Sequence, residues 1–476
     1  DPLHHHHQPH RNTAMKAFIT QFRSFERPAR MLMINQFGIN LGFYMLMPYL
    51  AAYLAGPLAL AAWAVGLVLG VRNFSQQGMF VVGGTLADRI GYKPLIVAGC
   101  LLRTVGFALL IGAHSLPAVL IASAATGFAG ALFNPAVRAY LAADAGDRRV
   151  EAFAVFNIFY QAGILLGPLL GVMLVAVDFR ITAAAAAVIF AVLTVAQLLA
   201  LPQQGTGRAP QKTSILDDWR VVLGNRSFLL FAVAMIGSYV LSFQVYLALP
   251  LQASLLTTRY QSLLVAGVFV VSGLVAVVGQ LRITRWFAAR WGRGRILAIG
   301  VAILAASFLP LTLVPDGQPY GTVPATVALL ISAAMLAVGS AAVFPFEMDT
   351  VMALAKGRLV GTHYGFYNTI VGVGILAGNL ATGWLMDTAQ QLGLGEIIWA
   401  GLVFVGATAA VALYRLDRAH HLEAKATAET HAGQPVTDAY PASEVRWDRQ
   451  VGVPPTNQCE AIQTSPGVEV SYARTG

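Results

Sequence analysis

The residues of this chain that could do chemistry are few, and they do not make a catalytic set. Gly84, Asp88, Arg89, Gly91 and Lys93 share a short loop between two apolar blocks. A carboxylate among basic residues and glycines can make and break ion pairs. It can also face a helix N-terminus, where free N–H groups and the helix dipole favour negative charge. Arg72 and Arg103 fall inside apolar blocks. An arginine at mid-membrane costs of order ~3 kcal/mol on insertion scales, so it turns to protein or water and finds partners. Each can hold an anionic substrate group, or instead be a structural residue bonded to carbonyls and amides such as Asn73, Gln76 and Gln77. Glu347 and Asp349 follow Pro345 at the end of one block, and His363 opens the next. Glu347 and Asp349 are the leading proton-coupling candidates, since burial alters proton affinity; pairing with Lys356 or Arg358 is the alternative. No hydrolase triad, metal cluster or nucleotide loop is visible. The chemistry to expect is the switching of charge and the binding of ligand, with no enzyme activity, cofactor or metal.

Composition says what must position these residues. Of 476 residues, 57% are hydrophobic and 11% charged, against roughly 45–50% and about 25% in soluble domains. Mean hydropathy is +0.65. The apolar residues lie in blocks near the ~20 residues that span a bilayer. Soluble enzymes, disordered chains and disulfide scaffolds are excluded. The two cysteines, Cys100 and Cys459, cannot build a metal site between them.

Twelve spans are expected, over residues 31–54, 63–87, 94–112, 117–140, 152–176, 180–201, 228–250, 262–287, 295–314, 323–346, 360–386 and 396–416. Basic residues gather after the even-numbered spans, as at Arg89, Lys93, Arg148, Arg149, Arg290, Arg293, Lys356 and Arg358, whereas the alternate loops carry only Arg180 and Arg259. By the positive-inside rule these ends and both termini are cytoplasmic, and the net charge of +9 reports topology instead of a nucleic-acid partner. The expected layout is a leader or tag-like segment with His4–His7 (residues 1–14), a six-helix bundle (15–201), a linker with an amphipathic helix on the membrane surface (202–226), a second six-helix bundle (227–418) and a disordered tail (419–476). Met15 is the expected start of the native chain. The halves echo each other: Gly163 and Gly167 frame two leucines in span 5 much as Gly374 and Gly378 frame a similar pair in span 11. A six-plus-six repeat is the mark of a two-bundle transporter with its site between the halves.

The Gly84–Lys93 loop resembles the signature of the major facilitator superfamily. Span 5 carries Gly163, Gly167, Pro168 and Gly171, similar to the antiporter motif of the family's drug:proton branch, with Val172 where a glycine is usual. A further run from Val71 through Gln76, Gln77, Gly83 and Arg103 to Phe107, with Asn134, Pro135 and Arg138, resembles one multidrug-resistance type within that branch. The resemblance implies an all-α membrane fold of two pseudo-symmetric six-helix bundles. It places Asp88 against the start of span 11 near Gly361 and Thr362, with Gly84 permitting close approach. It implies that the span 5 glycines pack on span 8 and that Pro168 bends the helix at the periplasmic hinge. Two departures bear on proton coupling: the branch often has an arginine where Ser123 stands, and exporters of this type an acid where Asn35 stands.

Polar and aromatic residues at helical spacing mark a cavity: Gln36, Asn40 and Tyr44 in span 1; Arg72 in span 2; Asn157, Tyr160 and Gln161 in span 5. In the second half Tyr239 and Phe243 of span 7 and Tyr367 and Asn368 of span 11 join them. The reading is a secondary transporter, a monomer in the bacterial inner membrane, exporting hydrophobic or amphipathic small molecules by alternating access with the proton as coupling ion. A metabolite carrier of the same fold, for a sugar, peptide or lipid, and a membrane sensor without transport are the alternatives.

Overall fold

The computed structural model describes residues 9–203, 214–257, 259–315 and 321–423, and every regular element in them is helical. α1 (Pro9–Arg23) is followed by α2 (Arg27–Ala55), α3 (Ala62–Gln77), α4 (Phe80–Ile90), α5 (Tyr92–Gly112), α6 (Leu116–Ala145), α7 (Arg149–Val175) and α8 (Phe179–Ala200). The short α9 (Ile215–Leu223) comes next. After it run α10 (Arg226–Ser242), α11 (Ala248–Leu256), α12 (Gln261–Ala288), α13 (Arg293–Ala306) and α14 (Leu309–Leu313). The long α15 (Thr322–Ala355), α16 (Val360–Leu392) and α17 (Glu396–Arg418) complete the chain. Counting α3 with α4, α10 with α11 and α13 with α14 as single broken spans gives twelve among the described residues. Eight helical stretches are by themselves long and apolar enough to cross a membrane, one of them, Leu116–Val175, holding two spans. Apolar side chains such as Leu199, Val278 and Phe404 point outward, each more than 70% exposed. Water disfavours such surface and hydrocarbon does not.

Proline explains two of the broken spans. It lacks an N–H and clashes with the carbonyl four residues back. Pro250 faults its span just after Tyr246, where Leu247 leaves helical geometry at φ −119°, ψ −72°. Pro310 lies in the first turn of α14, as the start of a new helix allows. The expected end of span 10 at residue 346 is too early. α15 runs 34 residues, through Pro345 to Ala355, and stops where Lys356 and Gly357 turn left-handed at φ +54° and +71°. Glu347 and Asp349 therefore sit on the helix and not beyond it.

The start of the chain packs on the first bundle. α1 runs continuously across Met15, and Phe18 and Phe22 pack on Phe159 of α7 at 5.9 and 5.4 Å. Residues 1–8 of the expected leader and 424–476 of the expected tail lie outside the described residues.

The glycine echo has a structural meaning. Beta carbons at Gly163 and Gly167 would lie 2.7 and 2.9 Å from the side chains of Asn40 and Tyr44 on α2, and one at Gly171 would strike the Met45 carbonyl. Gly374 and Gly378 face Ile236 and Val240 of α10 in the same way. α7 thus lies on α2 as α16 lies on α10. The expected packing of spans 5 and 8 through these glycines is corrected: α7 presents another face to α12, where Leu165 sits beside Gly273. Backbones brought this close tolerate no side chain, and overpacking costs about 1–3 kcal/mol. Gly167→Leu should accordingly lower the thermal unfolding midpoint of the purified protein. Gly401→Leu, where nothing lies within 4 Å, should leave it unchanged; equal midpoints in both variants would refute the assignment.

Candidate functional site

One end of the bundle carries the basic loops, and the two halves are laced together there. Asp88, in the last turn of α4, accepts hydrogen bonds from the backbone N–H groups of Gly361 and Thr362 at 2.9 and 2.7 Å and from the Thr362 hydroxyl at 2.6 Å. These N–H groups open α16 and have no partner within their own helix. The close crossing depends on glycine at both helices. A Cβ on Gly84 would strike the Gly361 carbonyl, and one on Gly365 would lie 2.5 Å from that of Phe80. Gly91, at φ +113°, a conformation that side chains disfavour, then turns the chain into α5 and Lys93.

Arg89 leaves this contact to others. It pairs with Asp218 of α9 at 2.9 Å, while Trp219 donates from its indole to the Thr85 hydroxyl at 2.8 Å and meets Phe366 edge-on at 5.9 Å. The linker helix starts at Ser214, whose hydroxyl accepts from the Asp217 N–H at 3.2 Å. It buries Asp218 and Val222 under the seam and leaves Ile215, Leu216 and Leu223 exposed. It therefore does more than rest on a membrane surface.

The second seam, between α7 and α12, is tied at several depths. Asn157 donates to Gln280 at 2.7 Å, and Gln280 in turn donates to the Ala341 carbonyl at 2.8 Å. Phe344 of α15 packs against Phe153 and Phe156 of α7 at 6.3 and 6.4 Å. Nearer the basic end, Arg285 of α12 donates to Gln21 of α1 at 3.2 Å. Asp349 bridges Arg149, the first residue of α7, at 3.0 Å and Arg293 of α13 at 2.9 Å. The alternative pairing of Asp349 with Lys356 or Arg358 is thereby replaced.

Glu347 is elsewhere. It is 3% exposed and accepts hydrogen bonds from Tyr367 at 2.5 Å and from Tyr239. Arg138 of α6, in the other half, acts on it electrostatically. Arg138 is itself buried, bonded at 3.3 and 3.4 Å to Asn134. His363 is buried beside Phe228, with Asn225 at 3.3 Å, and so joins α16 to the start of α10. Sequence reasoning set Glu347 and Asp349 together. The structure separates a carboxylate caged by tyrosines from one held in an ion bridge. It also adds Arg138, Gln280, Asp218, Trp219 and Gln21. Of these Arg138 had a signal in its place three residues after Pro135 in a span, and Asp218 and Trp219 in the amphipathic pattern of the linker.

The remaining cavity candidates divide into groups. Asn40, Tyr44 and Tyr160 line a cavity of about 40 Å³ with Phe43, Gln76, Arg103 and Asn134. Gln36 is buried outside it and donates to Asn40 at 3.1 Å. Arg72 and Arg103 lie on the same Phe43 ring, at 4.5 and 4.4 Å. Gln161 lines a second cavity, of about 50 Å³, with Leu165, Tyr246, Phe269 and Ser272. Phe243 bridges Tyr239 and Tyr246 at 6.3 and 5.6 Å, and Asn368 is half-buried with an unpartnered amide nitrogen. Drug-sized ligands fill some 300–1,000 Å³, so each cavity admits a headgroup or a few waters until the halves part. Asn35 and Ser123 are buried, each with an unpartnered polar atom, and neither touches these cavities.

The profile of the Major Facilitator Superfamily matches residues 32–378 and 286–447. An uncharacterized MFS-type transporter of Mycobacterium tuberculosis (strain H37Rv) is 69% identical over 396 residues, covering 83% of this chain and 94% of that protein. The multidrug resistance protein MdtH of Salmonella newport is 28% identical over 376 residues, 79% of this chain and 90% of its own. Among solved structures, the human organic anion transporter MFSD10 (TETRAN) superposes with a TM-score of 0.62 at 15% identity, covering 81% of this chain and 99% of that one. A peptide transporter POT variant with bound sulfate gives 0.61 at 16% identity, over 83% and 96%; both show likeness of fold.

The Asp88 contact sets a measurable expectation. Thr369 donates to the Gln77 carbonyl across the same seam at 3.2 Å. A cysteine placed at Thr369 should react slowly with a membrane-impermeant thiol reagent added at the basic face. Asp88→Asn, which removes the charge from the helix terminus, should raise that rate severalfold. An unchanged rate would show that Asp88 does not hold the seam.

Proposed function

The chain belongs to the Major Facilitator Superfamily and is a multi-pass membrane transporter, and we propose that it exports hydrophobic or amphipathic small molecules in exchange for protons. The likeness to MdtH supports the direction and the broad substrate class; the tyrosine-caged Glu347 carries the coupling. In this reading the bundles at 15–201 and 227–418 rock about the larger cavity between them, joined by the 202–226 linker. The protein acts as a monomer in the bacterial inner membrane with its basic end and both termini in the cytoplasm, the arrangement that basic loops favour.

The coupling follows from where charge sits. Glu347 belongs to the second half and Arg138 to the first, and they act on each other. A deprotonated Glu347 draws Arg138 toward it and, with Asp88 at α16 and Asp349 at Arg149, favours the closed basic end. A proton arriving from the outer side removes that attraction and leaves a neutral acid that still bonds Tyr239 and Tyr367. The basic end then opens, the proton leaves to the cytoplasm and substrate enters. Proton entry and substrate exit are thereby exclusive in turn, which is antiport. Asn35 and Ser123 need not titrate, because Glu347 supplies the group that the first half lacks.

Reconstituted into vesicles, Glu347→Gln should abolish uphill efflux driven by a pH gradient while retaining counterflow exchange of substrate. Asp349→Asn should keep gradient-driven transport and alter only its rate. The counterflow rate of the unaltered protein should vary with pH, and Glu347→Gln should flatten that profile. Continued uphill pumping by Glu347→Gln would place the proton site elsewhere, and indifference of the unaltered protein to the gradient would exclude proton antiport.

A further inference from the structure

The smaller cavity, between α2, α3, α5, α6 and α7, has positive charge in its wall that no carboxylate in the described protein balances. Arg103 is 3% exposed. Its Nε donates to the Thr126 carbonyl at 3.2 Å, and its guanidinium lies against Phe43 and Phe133 at 4.4 and 4.8 Å. Arg72 stacks on the same Phe43 ring. Its Nη1 reaches Asn73 at a long 3.4 Å, and its buried Nε has no acceptor. Every ion pair of the described residues involves other groups. Aromatic faces stabilise a guanidinium but do not cancel its charge. Two cations that feel each other in a low-dielectric wall are stable together only at a cost that a counter-ion relieves.

We propose that this cavity seats the anionic headgroup, a carboxylate, of an amphipathic organic substrate. Resting on the transporter reading above, this names its substrate class. Arg103 supplies the charge in the wall, Arg72 reinforces it from outside the wall through the shared Phe43 ring, and the amides of Gln76 and Asn134 complete the polar lining. A volume of about 40 Å³ suits a carboxylate and excludes a ring system. The apolar body of the substrate lies instead toward the second cavity, which sits between the halves beside Leu165, Tyr246 and Phe269 and widens to take it as they part. A lipophilic cation would meet the Arg103 guanidinium at this wall, with Arg72 close behind Phe43, and is disfavoured for the same reason that an anion is favoured. The planar guanidinium fork matches a carboxylate in two-point geometry, which a lysine does not reproduce.

The test is equilibrium binding to the full chain in nanodiscs of phosphatidylcholine, with no gradient, so that it does not depend on proton coupling. Three probes share one fluorescent body: pyrenebutyrate, its methyl ester and the pyrenebutyl trimethylammonium cation. The unaltered protein should bind the carboxylate at least about tenfold more tightly than the ester, as a charge-assisted hydrogen bond allows, and the cation more weakly than either. Arg103→Gln should bring carboxylate and ester to parity while leaving ester binding intact, and Arg103→Lys should recover part of the difference. Should Arg103→Gln fail to insert, Arg72→Gln, at a half-exposed position, should reduce the carboxylate preference in a folded protein. Equal affinity for carboxylate and ester in the unaltered protein, or a preference that survives Arg72→Gln with Arg103→Gln, would overturn the proposal. If phosphatidylglycerol in the nanodisc erases the preference, a lipid phosphate fills the cavity and the substrate assignment is equally overturned. Failure here together with normal gradient-driven efflux of the ester would leave the transporter reading standing.

Discussion

A single carboxylate at the mouth of a helix organises the closed end of this molecule. Asp88 takes three hydrogen bonds from the first turn of α16, joining α4 to a helix that begins more than 270 residues later in the chain. The contact requires backbone against backbone, hence Gly84, Gly361 and Gly365 at one crossing. It also frees Arg89 to grip α9 through Asp218. A helix terminus offers its N–H groups only while it points at the anion, so the bond is strong in one relative placement of the halves and lost in another. Such a bond is suited to holding one member of a two-state equilibrium.

Much of this was legible in the sequence, because the groups involved are either rare in a membrane or fixed by spacing. The twelve spans follow from block length, and the Asp88 contact near Gly361 and Thr362 was expected from the Gly84–Lys93 loop. What was not legible depended on where helices end and which way they face. Hydropathy stopped span 10 at residue 346 because Glu347 and Asp349 are charged, yet the helix continues to Ala355. Two residues along the helix, roughly half a turn, put the two acids on different faces, sending one to tyrosines and the other to Arg149 and Arg293. The glycines of span 5 signalled close packing correctly in kind, but a small-residue pattern does not name its partner, and α2 takes the place expected for span 8. The docking of α1 and α9 lay beyond reach for a similar reason: an amphipathic pattern shows that a helix has two faces without showing what covers them.

Polar groups inside the bundle are distributed unequally. The first half holds Arg72, Arg103 and Arg138 at membrane depth, and the second half answers with Glu347. Amide pairs such as Asn157 with Gln280 carry no net charge and serve to fix register between α7 and α12. Arg72 and Arg103 keep their contacts within the first half, whereas Arg138 and Glu347 stand on opposite halves, where movement of one half against the other changes their surroundings. That is where a proton or an ionised ligand has the greatest influence on conformation, since an interaction shifts an equilibrium only by its difference between the two states.

The two helices that flank the spans give the molecule a further property. α9 holds Thr85, Arg89 and Phe366 on one side and turns Ile215, Leu216 and Leu223 outward on the other. When α4 and α16 separate, this helix cannot keep both grips, and its outward apolar face must slide or rise in the headgroup layer. Interfacial helices are held there by buried apolar area and are sensitive to lipid composition and curvature. Under the alternating-access reading proposed above, the bilayer is a working part of the switch, and the population of each conformation is a property of protein and lipid taken together.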